Sequence, residues 1–141
     1  MTPEQNALIK SLKTCEEIFD YVESHLKKQG YRSMLDTDTG RCGYRGEDGA
    51  MCAVGCLIAD DEYDPCMENH AAMELAGVGG WLDDNLLLPA RLIPHARMLE
   101  VLQDFHDRSA NWSSAKGLSS RGIGQLRILR RMWLEGGLDL E

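Results

Sequence analysis

The residues of this chain that could do chemistry are concentrated near its middle. Cys42, Cys52, Cys56, Cys66 and His70 follow one another with nine, three, nine and three residues between them. Thiolates and imidazoles are the ligands that Zn²⁺ prefers, and four such groups close a structural site. A small structural zinc domain is therefore one interpretation of the cluster. The spacing argues against it, because paired zinc cysteines commonly have two residues between them rather than three.

A second interpretation of these residues is a cysteine-dependent enzyme. Cys56 follows a predicted strand and opens a predicted helical turn, and the positive end of a helix lowers the pKa of a thiol. His70, His95 and His106 are the candidate bases, and Asp107 directly follows His106. The many neighbouring carboxylates oppose this chemistry because negative charge raises a thiol pKa. A third interpretation is that the cysteines are core thiols, which behave as small hydrophobes.

Acidic residues are the strongest feature of the same region. Residues 46–84 contain ten Asp and Glu and no Lys or Arg, whereas the whole chain has a net charge of -8. The remainder is therefore slightly basic. A negative field of this kind improves solubility, and it can also attract a basic protein surface while repelling nucleic acid. The candidate partner-binding residues are Glu47, Asp48, Asp60, Asp61, Glu62 and Asp64.

Length and composition limit the remaining classes. The chain has 141 residues, of which 43% are hydrophobic and 27% charged, typical of one soluble globular domain spanning residues 1–141. No apolar run approaches the roughly 18–20 residues that cross a bilayer, and the start lacks the features of a secretory signal. Five cysteines without such a signal favour reduced thiols and a cytoplasmic location. No cofactor-binding motif is present, so we expect no cofactor.

The first predicted element is a long helix with one apolar stripe. Thr2, Pro3 and Gln5 form a helix start, and Gly30 is a predicted stop. A second capping pattern, Thr14 with Glu17, allows a break within this segment. The apolar stripe recurs at helical spacing and consists of Leu8, Leu12, Cys15, Phe19, Val22 and Leu26. We expect this stripe to be core, with a seam between two subunits of a homodimer as the alternative.

The next predicted element is a β-hairpin over residues 42–55. Asp48-Gly49 between two short runs is a strong hairpin signal. A two-residue turn would pair Arg45 with Cys52 and place Cys42 and Cys52 on opposite faces, whereas a three-residue turn would place them on one face. Helices are predicted over residues 64–77, from Pro94 onward, and from Ser119 or Ser120 to Leu134. The expected fold is α+β and mostly helical, with four or five helices packed around one short hairpin.

Basic residues on the last predicted helix raise the question of nucleic acid. Arg127 and Arg131 are one turn apart and Arg130 lies beside them. Three arginines in an acidic chain are typical of a solvated helix face, so we expect no nucleic-acid partner.

Residues 42–58 resemble a group of small proteins encoded by phages and prophages. Their pattern is Cys-x-Tyr-Arg-Gly-x-x-Gly-x-x-Cys-Ala-x-Gly-Cys-Leu-Ile, followed by Tyr-x-Pro-x-Met-Glu, which here is residues 63–68. His106-Asp107 and Trp112 are similar to the rest of that group. The pattern does not require cysteine at Cys66 or histidine at His70, which weakens the zinc interpretation.

The resemblance implies a context rather than an activity. Small acidic phage proteins without catalytic signatures are often inhibitors or modulators of host proteins, including anti-defence proteins such as anti-CRISPR proteins. We therefore expect a protein of the host cytoplasm that binds a basic host protein through its acidic face. A cysteine-dependent enzyme using Cys56 and a small zinc domain remain the alternatives.

Overall fold

Five α-helices and one short antiparallel sheet make up the regular structure of the described residues. The structure is a computed structural model, which describes residues 1–36, 41–77, 87–113 and 116–135. The helices are α1 (Pro3–Ser11), α2 (Cys15–Gln29), α3 (Ala72–Leu75), α4 (Ala96–Asp107) and α5 (Ser120–Leu134). The strands are β1 (Met34–Asp36) and β2 (Arg41–Cys42). The prediction of a mostly helical α+β fold is confirmed.

The first predicted helix is in fact two helices, because the second capping pattern is used. The Thr14 side chain accepts a hydrogen bond from the Glu17 N–H, and the Glu17 carboxylate accepts one from the Thr14 N–H. These reciprocal bonds satisfy N–H groups that a helix start otherwise leaves unpaired. Gly30 then ends α2 with a φ of 81°, a left-handed conformation that favours glycine.

The apolar stripe of this segment packs inside the chain. Leu12, Phe19, Val22 and Leu26 are buried in the main hydrophobic cluster, whereas Leu8 is half exposed. The prediction of a core stripe is confirmed. The alternative of a subunit seam is wrong, since four of its side chains are already covered by the chain's own core.

The hairpin is displaced toward the N-terminus from its predicted place at residues 42–55. Strands β1 and β2 pair antiparallel, with Met34 opposite Cys42. Residues after the Asp48-Gly49 turn do not form a strand; only an isolated bridge joins Arg45 to Met51. Glu47–Gly49 forms a single 3-10 turn, in which Asp48 has a φ of 58°. Residues 52–57 are buried instead, and Gly55–Leu57 forms a 3-10 turn.

The second half of the chain follows the predictions in part. The helix expected over residues 64–77 is a 3-10 turn, Pro65–Met67, followed by the short α3, with Asn69 between them at a φ of 70°. Helix α4 starts at Ala96 after a 3-10 segment, Ala90–His95, and α5 covers its predicted span. Residues 81–88, for which the sequence predicts no regular element, lie mostly outside the described residues. None of the helices described is long and apolar enough to cross a membrane.

Candidate functional site

An open cleft of about 340 Å³ separates the segment after β2 from helix α4. One wall contains Cys42, Tyr44, Glu68 and His70, and the other is α4. The polar residues of α4 that line the cleft are Glu100, Gln103, Asp104 and Asp107. Four carboxylates therefore face this space, and its lining among the described residues includes no Lys or Arg. The cleft is an electrostatically negative site.

The first wall is held in place by the carboxylate of Glu68. One oxygen accepts the Tyr44 N–H at 3.0 Å, and the other accepts the Arg45 N–H at 3.1 Å and the Tyr63 hydroxyl at 2.7 Å. The Arg45 guanidinium lies over the Tyr63 ring, 4.9 Å from its centroid. Charge-assisted hydrogen bonds of this kind are stronger than neutral ones. Tyr44, Arg45, Tyr63 and Glu68, which belong to the motifs of residues 42–58 and 63–68, thus fix the backbone that forms the cleft.

Two glycines of the same pattern are required by close backbone packing. A Cβ at Gly55 would lie 2.0 Å from the carbonyl oxygen of Tyr44, and a Cβ at Gly46 would lie 2.7 Å from the backbone nitrogen of Met34. No larger residue fits either position without moving a backbone segment. The spacing of the pattern therefore reflects how three chain segments meet behind the cleft.

A thiol, an imidazole and a carboxylate meet where the β2 segment approaches the C-terminal end of α4. Single ligand atoms of Cys42, His106 and Asp107 lie within 4.8 Å of one another. His106 is fully buried, its Nε2 accepts the Ser33 N–H at 2.9 Å, and its Nδ1 lies 2.8 Å from an Asp107 oxygen. Since Nε2 is an acceptor, the imidazole proton is on Nδ1 and is donated to Asp107. The indole ring of Trp112 packs edge-on against this imidazole.

This hydrogen bonding prevents His106 from acting as a base toward Cys42. Its one lone pair is already used by Ser33, and its other nitrogen carries the proton bonded to Asp107. Burial, followed by the negative charge of Asp107, raises the Cys42 pKa to about 11. A thiol with so high a pKa is a poor nucleophile near neutral pH. The same geometry opposes zinc. If Nδ1 of His106 bound a metal, the imidazole proton would be on Nε2, where it would face the Ser33 N–H and the hydrogen bond to Ser33 would be lost.

Cys56 does not form the predicted catalytic site. It is fully buried, its thiol donates to the Ala53 carbonyl at 3.3 Å, and burial raises its pKa well above the ordinary value. His70 instead faces Glu74, with 3.9 Å between Nδ1 and the carboxylate, and His95 lies 3.1 Å from the Lys13 carbonyl. The interpretation of Cys56 as a nucleophile is therefore wrong, because nothing outside the chain can reach it.

The predicted zinc cluster is not assembled either. Of its members, Cys52 and Cys56 are buried in the core, Cys66 is exposed, and Cys42 is in the cleft with His106 and Asp107. Among the described residues, the one group of three or more close ligand atoms consists of Cys42, His106 and Asp107, and no other member of the predicted set belongs to it. The predicted set relied on the hairpin over residues 42–55, and that hairpin does not form.

Three of the predicted partner-binding carboxylates have cationic partners within the chain. Asp60 pairs with Arg45 at 2.8 Å, Asp61 with Lys10 at 2.8 Å, and Glu62 with Arg91 at 2.5 Å. The Arg45 guanidinium is the main cause that lowers the Asp60 pKa to about 2.

The other three predicted carboxylates have no cationic partner among the described residues. Asp64 accepts the Cys66 N–H at 2.8 Å, and Glu47 and Asp48 are exposed in the turn. The arginines of α5 do not neutralise this region: Arg130 pairs with the acids of α2, including Asp20 at 2.5 Å.

Sequence reasoning missed the α4 side of the cleft. Glu100, Asp104 and Asp107 recur at spacings of four and three, which places them on one face of a helix. The helical spacing could be read from the sequence. The sequence did not indicate that this face of α4 lies across a cleft from Glu68. A comparison with protein-family models, curated proteins and solved structures gives no match for this chain.

Proposed function

We propose that this chain is a binding protein that docks a basic surface of a host protein in its acidic cleft and so modulates that host protein. The observation that supports this proposal is the cleft lined by Glu68, Glu100, Asp104 and Asp107 without a lysine or arginine in its lining. Four carboxylates around one open space attract a cationic side chain, and their mutual repulsion is relieved when such a side chain enters.

The carboxylates of α4 keep acceptor capacity for a partner. Glu100 uses one oxygen to accept the Met73 N–H at 3.0 Å, and Asp107 accepts from His106 and Gln103 through the same oxygen. Asp104 forms an exposed ion pair with Arg108, and such pairs contribute little in water. Each carboxylate has about four lone-pair positions. An entering guanidinium can therefore form the bidentate pairs that make arginine–carboxylate contacts strong.

The predicted acidic face has a second role in this proposal. Asp60 and Asp61 already pair within the chain, whereas Glu47 and Asp48 are exposed and have no ion pair among the described residues. The charges of Glu47 and Asp48 add to the negative field of the chain, and this field extends over a Debye length of about 8 Å at physiological salt. They accelerate association with a basic surface, while the cleft supplies the contact.

The resemblance to phage proteins suggests which host surfaces would fit. Proteins that handle nucleic acid have basic channels, and carboxylates can occupy the places where phosphates would lie. Host defence nucleases are one such class. The chain would act there by occupying the channel and would break no covalent bond.

The test compares two charge-neutralised variants of equal charge change. The cleft variant combines E100Q, D104N and D107N, and the control variant combines E47Q, D61N and D64N outside the cleft. Each substitution keeps an acceptor oxygen, so the local hydrogen bonds remain. The immobilised wild-type chain captures proteins from a lysate of the host, and each captured protein is then purified and titrated against all three chains.

The expected result is one basic protein whose affinity falls steeply with salt and is lost in the cleft variant. The control variant should keep most of that affinity, because E47Q slows association but leaves the contact in the cleft intact. Equal affinity of the cleft variant and the wild type for every captured protein would refute docking in the cleft. Loss in the control variant alone would move the binding surface to residues 47–64.

A further inference from the structure

The outward face of α5 carries apolar and cationic side chains that have no partner within the described part of the chain. Ile123 and Ile128 are 43% and 52% exposed. Arg127 and Arg131 lie between them around the helix, because four residues are about one helical turn, and both arginines are exposed. Neither arginine has an ion pair or a side-chain hydrogen bond with any of the residues described. The face therefore combines two isoleucines with two cations that these residues do not neutralise.

The positive charge of this face follows from the sequence of α5. The helix contains four arginines and no Asp or Glu. Arg130 is neutralised by acids of α2, with Asp20 at 2.5 Å, whereas Leu126 packs in the core on another side of the helix. A Cβ built at Gly124, on the outward face, would lie in open space. The outward face is thus the part of α5 that the rest of the described chain leaves available to a partner.

The acidic cleft lies beside this basic face. Asp104 of α4 lines the cleft, and it also lines a pocket of about 270 Å³ between α4 and α5 to which Leu129 contributes. The two helices therefore present an acidic patch and a basic patch side by side. Glu100 and Asp104 are four residues apart on α4, as are the two free arginines on α5. A two-fold axis between neighbouring patches would place each patch of one copy on the opposite patch of the other.

A second copy of this chain is the occupant that the two patches fit. Nucleic acid would be repelled by the neighbouring cleft and by the net charge of -8. Its phosphates would also leave the exposed isoleucines in water. Every copy of the chain instead offers an acidic helix face with apolar side chains beside it, because Met73 and Val101 line the open surface next to Glu100 and Asp104. Charge and apolar surface therefore both find a match in a second copy.

We propose that two copies of the chain associate about a two-fold axis, with the α5 arginines of each copy in the acidic cleft of the other, so that self-association covers the cleft. This inference rests on the proposed function, since it assigns a regulation to the same cleft. The contact does not involve the buried stripe of α1 and α2. Each patch is about one helix wide, so the interface is small, below about 1,200 Å² in total, and association is weak. A host protein that binds more tightly displaces the second copy.

The first test is sedimentation equilibrium of the full chain and of two charge-reversal variants. The reversed-α5 variant combines R127E and R131E, and the reversed-cleft variant combines E100K and D104K. We expect the wild type to dimerise with a dissociation constant on the order of 100 µM, and about tenfold more weakly at high salt. Each variant alone should lose about tenfold or more in affinity. An equimolar mixture of the two should regain the wild-type affinity, because each reversed patch then meets a patch of opposite charge.

Two further variants separate this contact from general charge effects and from misfolding. K13E with K28E has the same charge change as the reversed-α5 variant, but both lysines lie outside α5 and the cleft lining, so dimerisation should persist. D104K alone keeps the hydrogen bond of Glu100 to the Met73 N–H and should still weaken the dimer several-fold. A chain that is monomeric at every concentration would overturn the inference. A dimer that survives both D104K and the reversed-cleft variant would overturn it too, because α5 would then meet another surface.

The second test is the labelling rate of Cys42, which lines the cleft. At a chain concentration tenfold above the dissociation constant of the dimer, about a fifth of the chain is monomeric. Disulfide exchange at Cys42 should then be about fivefold slower in the wild type than in the reversed-α5 variant. Equal rates would overturn the covering of the cleft.

The reversed-α5 variant also separates this inference from the proposed function. Its cleft is unchanged, so it should still bind the captured host protein. Host binding by a chain that never dimerises would refute self-association alone. A dimer with the expected charge dependence, in a chain that captures no host protein through its cleft, would support self-association and refute the host partner.

Discussion

The reactivity of Cys42 gives a direct measure of the electrostatics in the cleft. Burial and Asp107 raise its pKa from 9.0 to about 11. At about pH 8 this shift of roughly two units leaves about 100-fold less thiolate than an ordinary thiol has. A thiolate of higher pKa is also more nucleophilic, with a Brønsted coefficient of about 0.4–0.5, which recovers close to a factor of eight. Disulfide exchange at Cys42 should therefore be about tenfold slower than at a free model thiol.

The perturbation that tests this reasoning is D107N. Asparagine keeps an oxygen that can accept the His106 proton, but it removes the negative charge beside the thiol. The Cys42 pKa should fall in this variant and still exceed 9.0, because burial is the largest cause of the shift. Labelling of Cys42 should consequently become faster, with the midpoint of its pH profile at lower pH.

The assay follows exchange with an aromatic disulfide by mass spectrometry of peptides, which separates Cys42 from the exposed Cys66. D61N is the matched control, since Asp61 pairs with Lys10 outside the cleft. Labelling of wild-type Cys42 as fast as a free thiol would refute the raised pKa and reopen the possibility of an activated nucleophile. An unchanged pH profile in D107N would show that burial alone sets the reactivity.

The remaining predictions concern stability. G55A should lower the free energy of unfolding by about 1–3 kcal/mol, because the new Cβ would lie 2.0 Å from the Tyr44 carbonyl oxygen. G124A should raise it by about 1 kcal/mol, because Gly124 is inside α5 with open space around it; equal denaturant midpoints would contradict both. Arg45, followed by Asn6, lowers the Asp60 pKa from 3.8 to about 2, so the stability that the ionised Asp60 supplies is present above about pH 4 and lost toward about pH 2. D60N should therefore lose less stability over that interval in thermal melts, and parallel melting curves would contradict this.

Local sequence signals determined where α1, α2 and α5 begin and where α2 and α5 end. Thr2 and Thr14 each begin a helix because their side chains accept N–H groups that the first turn leaves free. Gly30 ends α2 because it adopts a positive φ at no steric cost. The apolar stripe of α2 and the span of α5 followed from a spacing of three and four residues. Such features depend on neighbours within one or two turns, so they can be predicted from the sequence.

The position of the hairpin was decided by packing over longer distances. Asp48-Gly49 favours a turn, and a turn is present, but the chain after it is buried as helical turns rather than paired as a strand. Gly55 has to lie against the backbone of Tyr44, and this close approach is incompatible with the predicted register. A turn motif indicates where the chain reverses direction. Which segments then pair as strands depends on which of them are not already packed in the core.

The candidate site depended on the tertiary structure most of all. The acidic character of residues 46–84 and the carboxylates of α4 could both be read from the sequence, but not which of them remain unpaired. Lys10 and Arg45, distant along the chain, neutralise Asp61 and Asp60, whereas Glu68 and Asp107 come to face a common cleft. Likewise, the Ser33 N–H determines the tautomer of His106 from 73 residues away. Charge and hydrogen-bonding capacity are properties of the residue, but whether they are available to a partner depends on contacts that only the folded chain makes.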